Sequence, residues 1–286
     1  MPSTSVLINN RNNAEFLEAC IESVLRQTRP ADEIIVYDDG SSDGSGAVLA
    51  RYDGVVRVIA ARAGEGTPME NQTRAIEESF RQSRGELIFL LDGDDRYFPD
   101  HIEAYLAGFG RSERVVMVQA PLLKIDGAGQ ALGLEYDYRR HAQNYLRHIH
   151  RTQDVNIYYP TSSLAFHRTY LDQRLPLQPC GLPLWPDAQL ALVAPHFGDV
   201  VTLGQPHTYW RRHPRSHTVA KITTVYEQMR MNRQYYNQFC GQAGLPLIRA
   251  WRSPQHIKRI IRHLCPGGLI SSYQQLVKVQ PASRPR

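Results

Sequence analysis

The stretch "GELIFLLDGDDRYFPD", residues 85–100, decides how the chain is read. Leu87 to Leu91 are apolar without a break, the pattern of a strand buried on both faces, and three carboxylates, Asp92, Asp94 and Asp95, follow at once around Gly93. Two earlier segments repeat the arrangement. Ser5-Val6-Leu7-Ile8 is a short strand ending in the polar turn Asn9 to Asn13, whose last Asn is placed to cap a helix, and Glu33 to Tyr37 runs into Asp38-Asp39-Gly40-Ser41-Ser42-Asp43-Gly44. Between them Leu17, Cys20, Ile21, Val24 and Leu25 recur at helical spacing until Pro30 stops the helix. Val55 to Ala60 reads as a third strand, and Thr67 to Arg84 as a helix with Met69, Ala75, Ile76 and Phe80 on one side. Strands alternating with helices predict an α/β fold with a mainly parallel sheet. Right-handed crossovers then bring the strand ends to one edge, so Asn9, Asp39 and Asp94 should meet in space.

The bulk figures fit one large α/β domain, alone or with an appendage: 286 residues, 42% of them hydrophobic. Residues 1 to 15 are polar where a secretory signal would have its apolar core, and no apolar run approaches the ~20 residues of a membrane span. A cytoplasmic protein is expected. Cys20, Cys180, Cys240 and Cys265 are far apart and form no CxxC pair, which argues for reduced thiols rather than a zinc knuckle or a disulfide framework. Charge is unevenly spread. From Arg211 onward fourteen Lys and Arg stand against one acid, Glu227, so this tail carries +13 of a net +5 and the rest carries −8.

Carboxylates gathered at one sheet edge repel one another unless a cation or hydrogen-bond donors compensate. Oxygen ligands favour Mg²⁺ or Mn²⁺, ions that commonly take one or two protein carboxylates and fill their shell with phosphate oxygens and water. A nucleotide is therefore implied. Neither GxxxxGK[ST] nor GxGxxG occurs, so the two glycine-rich ways of cradling phosphate are absent.

The runs "SVLINNRNNAEFLEACIESVLRQT", "DEIIVYDDGSSDGS" and "RGELIFLLDGDD", in that order, resemble family 2 glycosyltransferases with the GT-A fold, and the resemblance spans roughly residues 5 to 217. It implies a GT-A domain over 1–218 and leaves 219–286 as a helical, basic C-terminal extension. It implies also a metal-dependent inverting transfer from a nucleotide-diphospho-sugar, with UDP the expected carrier, to a hydroxyl of a glycan or lipid-linked saccharide, as in bacterial surface polysaccharide or lipopolysaccharide synthesis. Carried over residue by residue, it places Ile8, Asn9, Asn12 and Asp39 at the nucleobase and ribose, with Asp38 a weaker candidate, and Gly66 and Asn71 near the base and sugar. Asp92-Gly93-Asp94 is the DxD motif. Asp92 would reach the ribose or donor sugar, Asp94 would ligate Mn²⁺ or Mg²⁺ and Asp95 would assist either. In "GLPLWPDAQLALVA" Pro186 primes the first turn of a helix and Asp187 is the implied catalytic base, with Trp185 beside it on the acceptor side. Ser162 and Ser163 of "PTSSLAFHR" would touch acceptor hydroxyls. Arg211 and His213 of "YWRRHPRSHT" would close over the diphosphate, with His213 a second metal ligand.

The chain departs from the family pattern at Asn9-Asn10-Arg11-Asn12, where members commonly have proline, a small hydroxyl residue and an aromatic before the last Asn, and at Pro186-Asp187, where members often have Glu-Asp. Two other classes fit part of the pattern: a nucleotidyltransferase on a similar scaffold, and a non-catalytic sugar-nucleotide-binding protein. The first normally carries a glycine-rich basic loop after its first strand, which Asn9 to Asn13 does not supply, and intact Asp94 and Asp187 argue against the second. In the tail, Trp251, Ile257, Ile260, Ile261 and Leu264 interleave with Arg252, Lys258, Arg259 and Arg262. Such a segment can lie peripherally on an anionic membrane or pack on the body with a solvated basic face. No nucleic-acid-reading motif accompanies it, so no nucleic-acid partner is expected, and residues 281–286 are expected to be disordered.

Overall fold

The computed structural model describes residues 1–62, 66–135, 144–216 and 225–249. The buried apolar runs form strands β1 (Thr4–Asn10), β2 (Glu33–Asp39), β3 (Arg57–Ala61) and β4 (Leu87–Asp92), parallel and in the order β4-β1-β2-β3. Helices α1 (Ala14–Leu25), α2 (Ser45–Ala50) and α3 (Pro68–Gln82) are the crossovers. Beyond β4 come β5 (Arg96–Tyr97), α4 (His101–Phe109), β6 (Val115–Gln119), β7 (Leu122–Ile125), β8 (Ala131–Glu135) and α5 (Tyr145–Thr152). A 3₁₀ turn at Thr161–Ser163 leads into β9 (Leu164–His167), followed by α6 (Arg168–Arg174), α7 (Pro186–Val193), β10 (Asp199–Thr202), β11 (Thr208–Arg211) and α8 (Val225–Gln242).

The main sheet runs β10-β6-β9-β4-β1-β2-β3; β9 is antiparallel to both its neighbours and the other pairings are parallel. A second sheet, β5-β11-β7-β8, lies beyond the ends of β4 and β6 in the chain. Side-chain alternation divides the main sheet's apolar residues between two cores. Val6, Ile8, Ile34, Val36, Leu87, Phe89 and Leu91 pack with α1 residues such as Leu17 and Ile21 and with Ile102 and Tyr105 of α4. Leu7, Ile35, Ile88 and Leu90 pack with Ile76 of α3, Leu190 of α7 and Tyr236 of α8.

Local boundaries differ from the sequence reading for identifiable reasons. Asn13 does not cap α1 with its side chain, because its backbone lies outside the extended region at φ −115°, ψ 30°. Asp43 of the β2–α2 turn takes over, accepting a hydrogen bond from the Ala14 N–H at 2.9 Å. β3 starts at Arg57 rather than Val55, since the Val55 and Val56 N–H groups turn back to the Tyr52 carbonyl. α3 opens with a capping box, Thr67 and Glu70 each satisfying the other's backbone N–H, with Pro68 in its first turn. In the described part of the basic segment, α8 packs against α7 and buries Met231, Tyr235, Tyr236 and Cys240 in the same core as the sheet. The boundary at 218, the amphipathic stretch from Trp251 to Leu264 and the tail 281–286 lie outside the described residues. Among those described, no helix is long and apolar enough to cross a membrane.

Candidate active site

Asn9 pairs with Tyr37 on one side and Asp92 on the other, so the ends of β1, β2 and β4 stand level at one sheet edge. The turns that leave them are stitched together. Asn10 is buried and donates from Nδ2 to Asp38 Oδ1 at 2.7 Å. Asn12 adopts a left-handed backbone (φ 54°), donates its N–H to Ser41 Oγ at 2.9 Å and accepts from the Ser42 N–H at 2.8 Å. Arg11 pairs with Asp39 Oδ2 at 2.7 Å. The other oxygen, Asp39 Oδ1, is buried with no partner among the described residues, as is Asn71 Oδ1 on α3, against which Gly66 packs. This wall offers unused buried acceptors to a ligand's N–H or O–H groups.

The aspartate turn is pressed against β1. The Gly93 N–H donates to the Asn9 carbonyl at 2.8 Å, and a Cβ on Gly93 would sit 2.8 Å from Asn10 Oδ1 and 3.1 Å from the Asn9 oxygen, so only glycine fits. The three carboxylates around it have different environments. Asp92 accepts from Gln72 Nε2 at 3.0 Å; burial, then the charges of Asp94 and Asp187, push its carboxyl up to about 8. Asp94 Oδ2 faces His213 Nε2 at 3.0 Å, and His213 rests on the Phe16 ring. Asp95 is 1% exposed and accepts from the Ser162 hydroxyl and, at 2.7 Å, from the Arg211 N–H. Burial is also the first reason the Cys20 thiol is driven well up, with the field of Asp95, Asp94 and Asp92 behind it. Among the described residues the fourth carboxylate near this turn, Asp187, opens α7 from a buried position. Its Oδ1 accepts from the Ala188 N–H at 2.7 Å and its Oδ2 from the Thr161 hydroxyl at 3.1 Å, while burial raises its pKa.

Asn9, Asn12, Asp39, Gly66, Asn71, Asp92, Gly93, Asp94, Asp187 and His213 thus belong to this sheet edge or to the elements beside it. Trp185 is half-buried at the start of α7. Five residues assigned from the sequence are held by the fold as follows. Ile8 is fully buried, one residue short of the edge, with its side chain in the core beside α1. Ser162 and Ser163 are fully buried and out of reach of an acceptor: Ser162 braces Asp95 and the Asp92 N–H, and Ser163 donates to the Ala120 carbonyl. Asp95 is anchored inward and ties the turn to β11. Arg211 directs its guanidinium at the carbonyls of Asp94, Asp126 and Gly127 and stacks on Phe16, and so clamps the turn. Conversely, Arg11, Gln72 and Thr161 contact Asp39, Asp92 and Asp187, a role that residue type alone did not single out.

Asp94 and His213 fit a divalent cation by donor chemistry and by spacing. Their 3.0 Å separation matches the edge of an octahedron with bonds of about 2.1 Å. Among the described residues no cluster of three or more metal-ligating side chains exists, so the remaining positions would fall to ligand oxygens or water.

Residues 5–175 match the model of the family described as glycosyl transferase family 2. The chain is 28% identical over 253 residues to an uncharacterized glycosyltransferase of Nostoc sp., covering 84% of this chain and 76% of that protein. It is 28% identical over 142 residues to chondroitin synthase of Escherichia coli, covering 48% of this chain and 20% of the synthase. Among solved structures it resembles S. aureus TarS 1-349 in complex with UDP-GlcNAc (TM-score 0.60, 15% identity, 82% of this chain and 66% of that one). It also resembles the mannosyltransferase PcManGT of Pyrobaculum calidifontis in complex with GDP-Man and Mn²⁺ (TM-score 0.57, 14% identity, 97% and 79%). At such identities these two likenesses establish the fold, a mixed α/β GT-A architecture.

Proposed function

The chain belongs to glycosyl transferase family 2, and from that premise we propose that it is a metal-dependent inverting transferase, moving a sugar from a UDP-linked donor to a hydroxyl of a glycan or lipid-linked saccharide in bacterial surface-polysaccharide synthesis. One observation carries the reading: a buried carboxylate, Asp187, is fixed by Thr161 and by the Ala188 N–H, and is linked through Thr161 and Gln72 to Asp92 of the aspartate turn. Asp94 and His213 would hold the Mn²⁺ or Mg²⁺, which when bound supplies positive charge to a departing diphosphate. Asp39 and Asn71, each with an open buried oxygen, suit the N–H and O–H groups of a nucleoside.

Asp187 acts as general base. It takes the acceptor's hydroxyl proton as that oxygen bonds to the anomeric carbon from the face opposite the breaking carbon–oxygen bond to diphosphate, which inverts the configuration in one step. Its environment serves this task. Burial makes the carboxylate a stronger proton acceptor than an exposed aspartate, and the Thr161 hydroxyl keeps one oxygen oriented.

Asp187→Asn should lower kcat by about 10²–10⁴ while leaving donor binding within a few-fold; full activity in that variant removes Asp187 as the base. Thermal-shift measurements with UDP-, GDP- and dTDP-sugars, with Mn²⁺ or with EDTA, test the donor and the cation together, since a ligand of the native state raises Tm. A Tm unmoved by every nucleotide sugar would end the proposal. Membrane contact through the basic segment would allow access to a lipid-linked acceptor, and liposome flotation of the full chain measures it.

A further inference from the structure

Gln72, on α3, has no part in the assignments above, yet it spans the two carboxylates on which they depend. Its Nε2 donates to Asp92 Oδ1 at 3.0 Å and lies 3.5 Å from Thr161 Oγ1, whose own hydrogen goes to Asp187 Oδ2 at 3.1 Å. A continuous chain of side-chain contacts, Asp92, Gln72, Thr161, Asp187, therefore links the two carboxylates. The amide nitrogen thus faces two acceptors, which orients the carboxamide. Its carbonyl oxygen, Oε1, is buried and has no partner among the described residues. A buried amide oxygen without a donor costs the free protein stability unless a ligand completes it.

We propose that Gln72 reads the transferred sugar, its Oε1 accepting a hydrogen bond from a sugar hydroxyl. This assignment rests on the transferase reading. In-line displacement places the anomeric carbon between the departing diphosphate and the base, and a side chain running from Asp92 to the neighbour of Asp187 flanks that interval. The sugar then contacts Gln72 through an oxygen that only accepts, so a hydroxyl satisfies it and a deoxy position does not. Asp92 and Thr161 supply rigidity, holding the carboxamide before the sugar arrives.

The experiment separates the sugar from its carrier. Full-length protein in Mn²⁺ is titrated calorimetrically with UDP-glucose, UDP-N-acetylglucosamine and GDP-mannose, and with UDP and GDP; the sugar nucleotide bound tightest, with its bare nucleotide, is then titrated into Gln72→Met and Gln72→Ala. We expect the sugar nucleotide's Kd to rise about 5- to 30-fold and that of the bare nucleotide to stay within about 2-fold, the latter also certifying a folded site. Equal losses for both ligands would make Gln72 a structural residue and overturn the assignment, as would unchanged affinity for the sugar nucleotide. If the unaltered protein binds none of the three, the transferase donor reading falls, and the Gln72 assignment with it.

Discussion

Asp92→Asn should make the protein more stable at neutral and alkaline pH, and the size of the effect follows from where Asp92 sits. An exposed aspartate releases its proton near 3.8, whereas burial with Asp94 and Asp187 nearby keeps the Asp92 carboxyl protonated up to about 8. Between those values the folded chain holds a proton that the unfolded chain has already lost. Stability is therefore lost as pH rises through the window, about 1.4 kcal/mol for each pH step, reaching roughly 5 kcal/mol by pH 8. Asparagine has the shape of the neutral acid and no such penalty. In urea titrations with EDTA present, the two proteins should match near pH 4 and diverge steadily to about 5 kcal/mol at pH 8, or some 8 °C in Tm for a chain of this size. The variant should be the more stable. Parallel stability curves over that range would refute the reasoning, because they would mean that Asp92 ionises in the fold as it does in water.

Three further expectations come from the same geometry. Gly93→Ala places a methyl 2.8 Å from Asn10 Oδ1, a side chain that cannot yield because Asp38 and Ser41 hold its amide; a loss of about 1–3 kcal/mol in denaturant titrations, together with weakened nucleotide-sugar binding, should result. Ending the chain at residue 216 removes α8 and, with it, the buried Met231, Tyr235, Tyr236 and Cys240. At about 1.5–3 kcal/mol each these rival a whole domain's stability, so circular dichroism and solubility should report an unfolded or aggregated product. Because burial raises the Asp187 pKa, the acid limb of the kcat profile should lie above that of an ordinary carboxylate, rising with pH as the base ionises; a limb at or below the ordinary range would contradict its burial.

Much of the scaffold was legible because it is local. Uninterrupted apolar runs such as Leu87 to Leu91 could only be buried strands, and their polar turns could only fall at one edge once the sheet was parallel. The capping box at Thr67 and Glu70 is readable in four consecutive residues. What was not legible depends on partners remote in sequence. Nothing in "LAFH" says that β9 inserts antiparallel between β4 and β6, since direction is set by the connections on either side. Ser162 looks like an exposed hydroxyl in a loop, yet it supports Asp95 across 67 positions, and Arg211 finds its carbonyl acceptors 84 to 117 positions upstream. The family pattern supplied residue types for a site. It did not say which of them face a ligand and which hold the others.

That division is clearest in the three aspartates of one turn. Asp95 is anchored by donors that are always present, the Ser162 hydroxyl and the Arg211 N–H, yet burial and the charges of Asp94 and Asp92 still hold its carboxyl well above the ordinary carboxylate range. Asp94 has one side-chain partner among the described residues, His213, and the two stand close enough to share a cation. Asp92 is left with an amide from Gln72 and a carboxyl that resists ionisation. Two positions separate Asp92 from Asp94, and Gly93 between them lets the chain turn tightly against β1. Moving positive charge into this turn would ease both carboxylates at once, whereas an extra fixed cation in the protein would stabilise the empty site and reduce its gain on binding. The folded protein without ligand is therefore strained where a donor diphosphate and its cation would bind, and relief of that strain is free energy available for holding them.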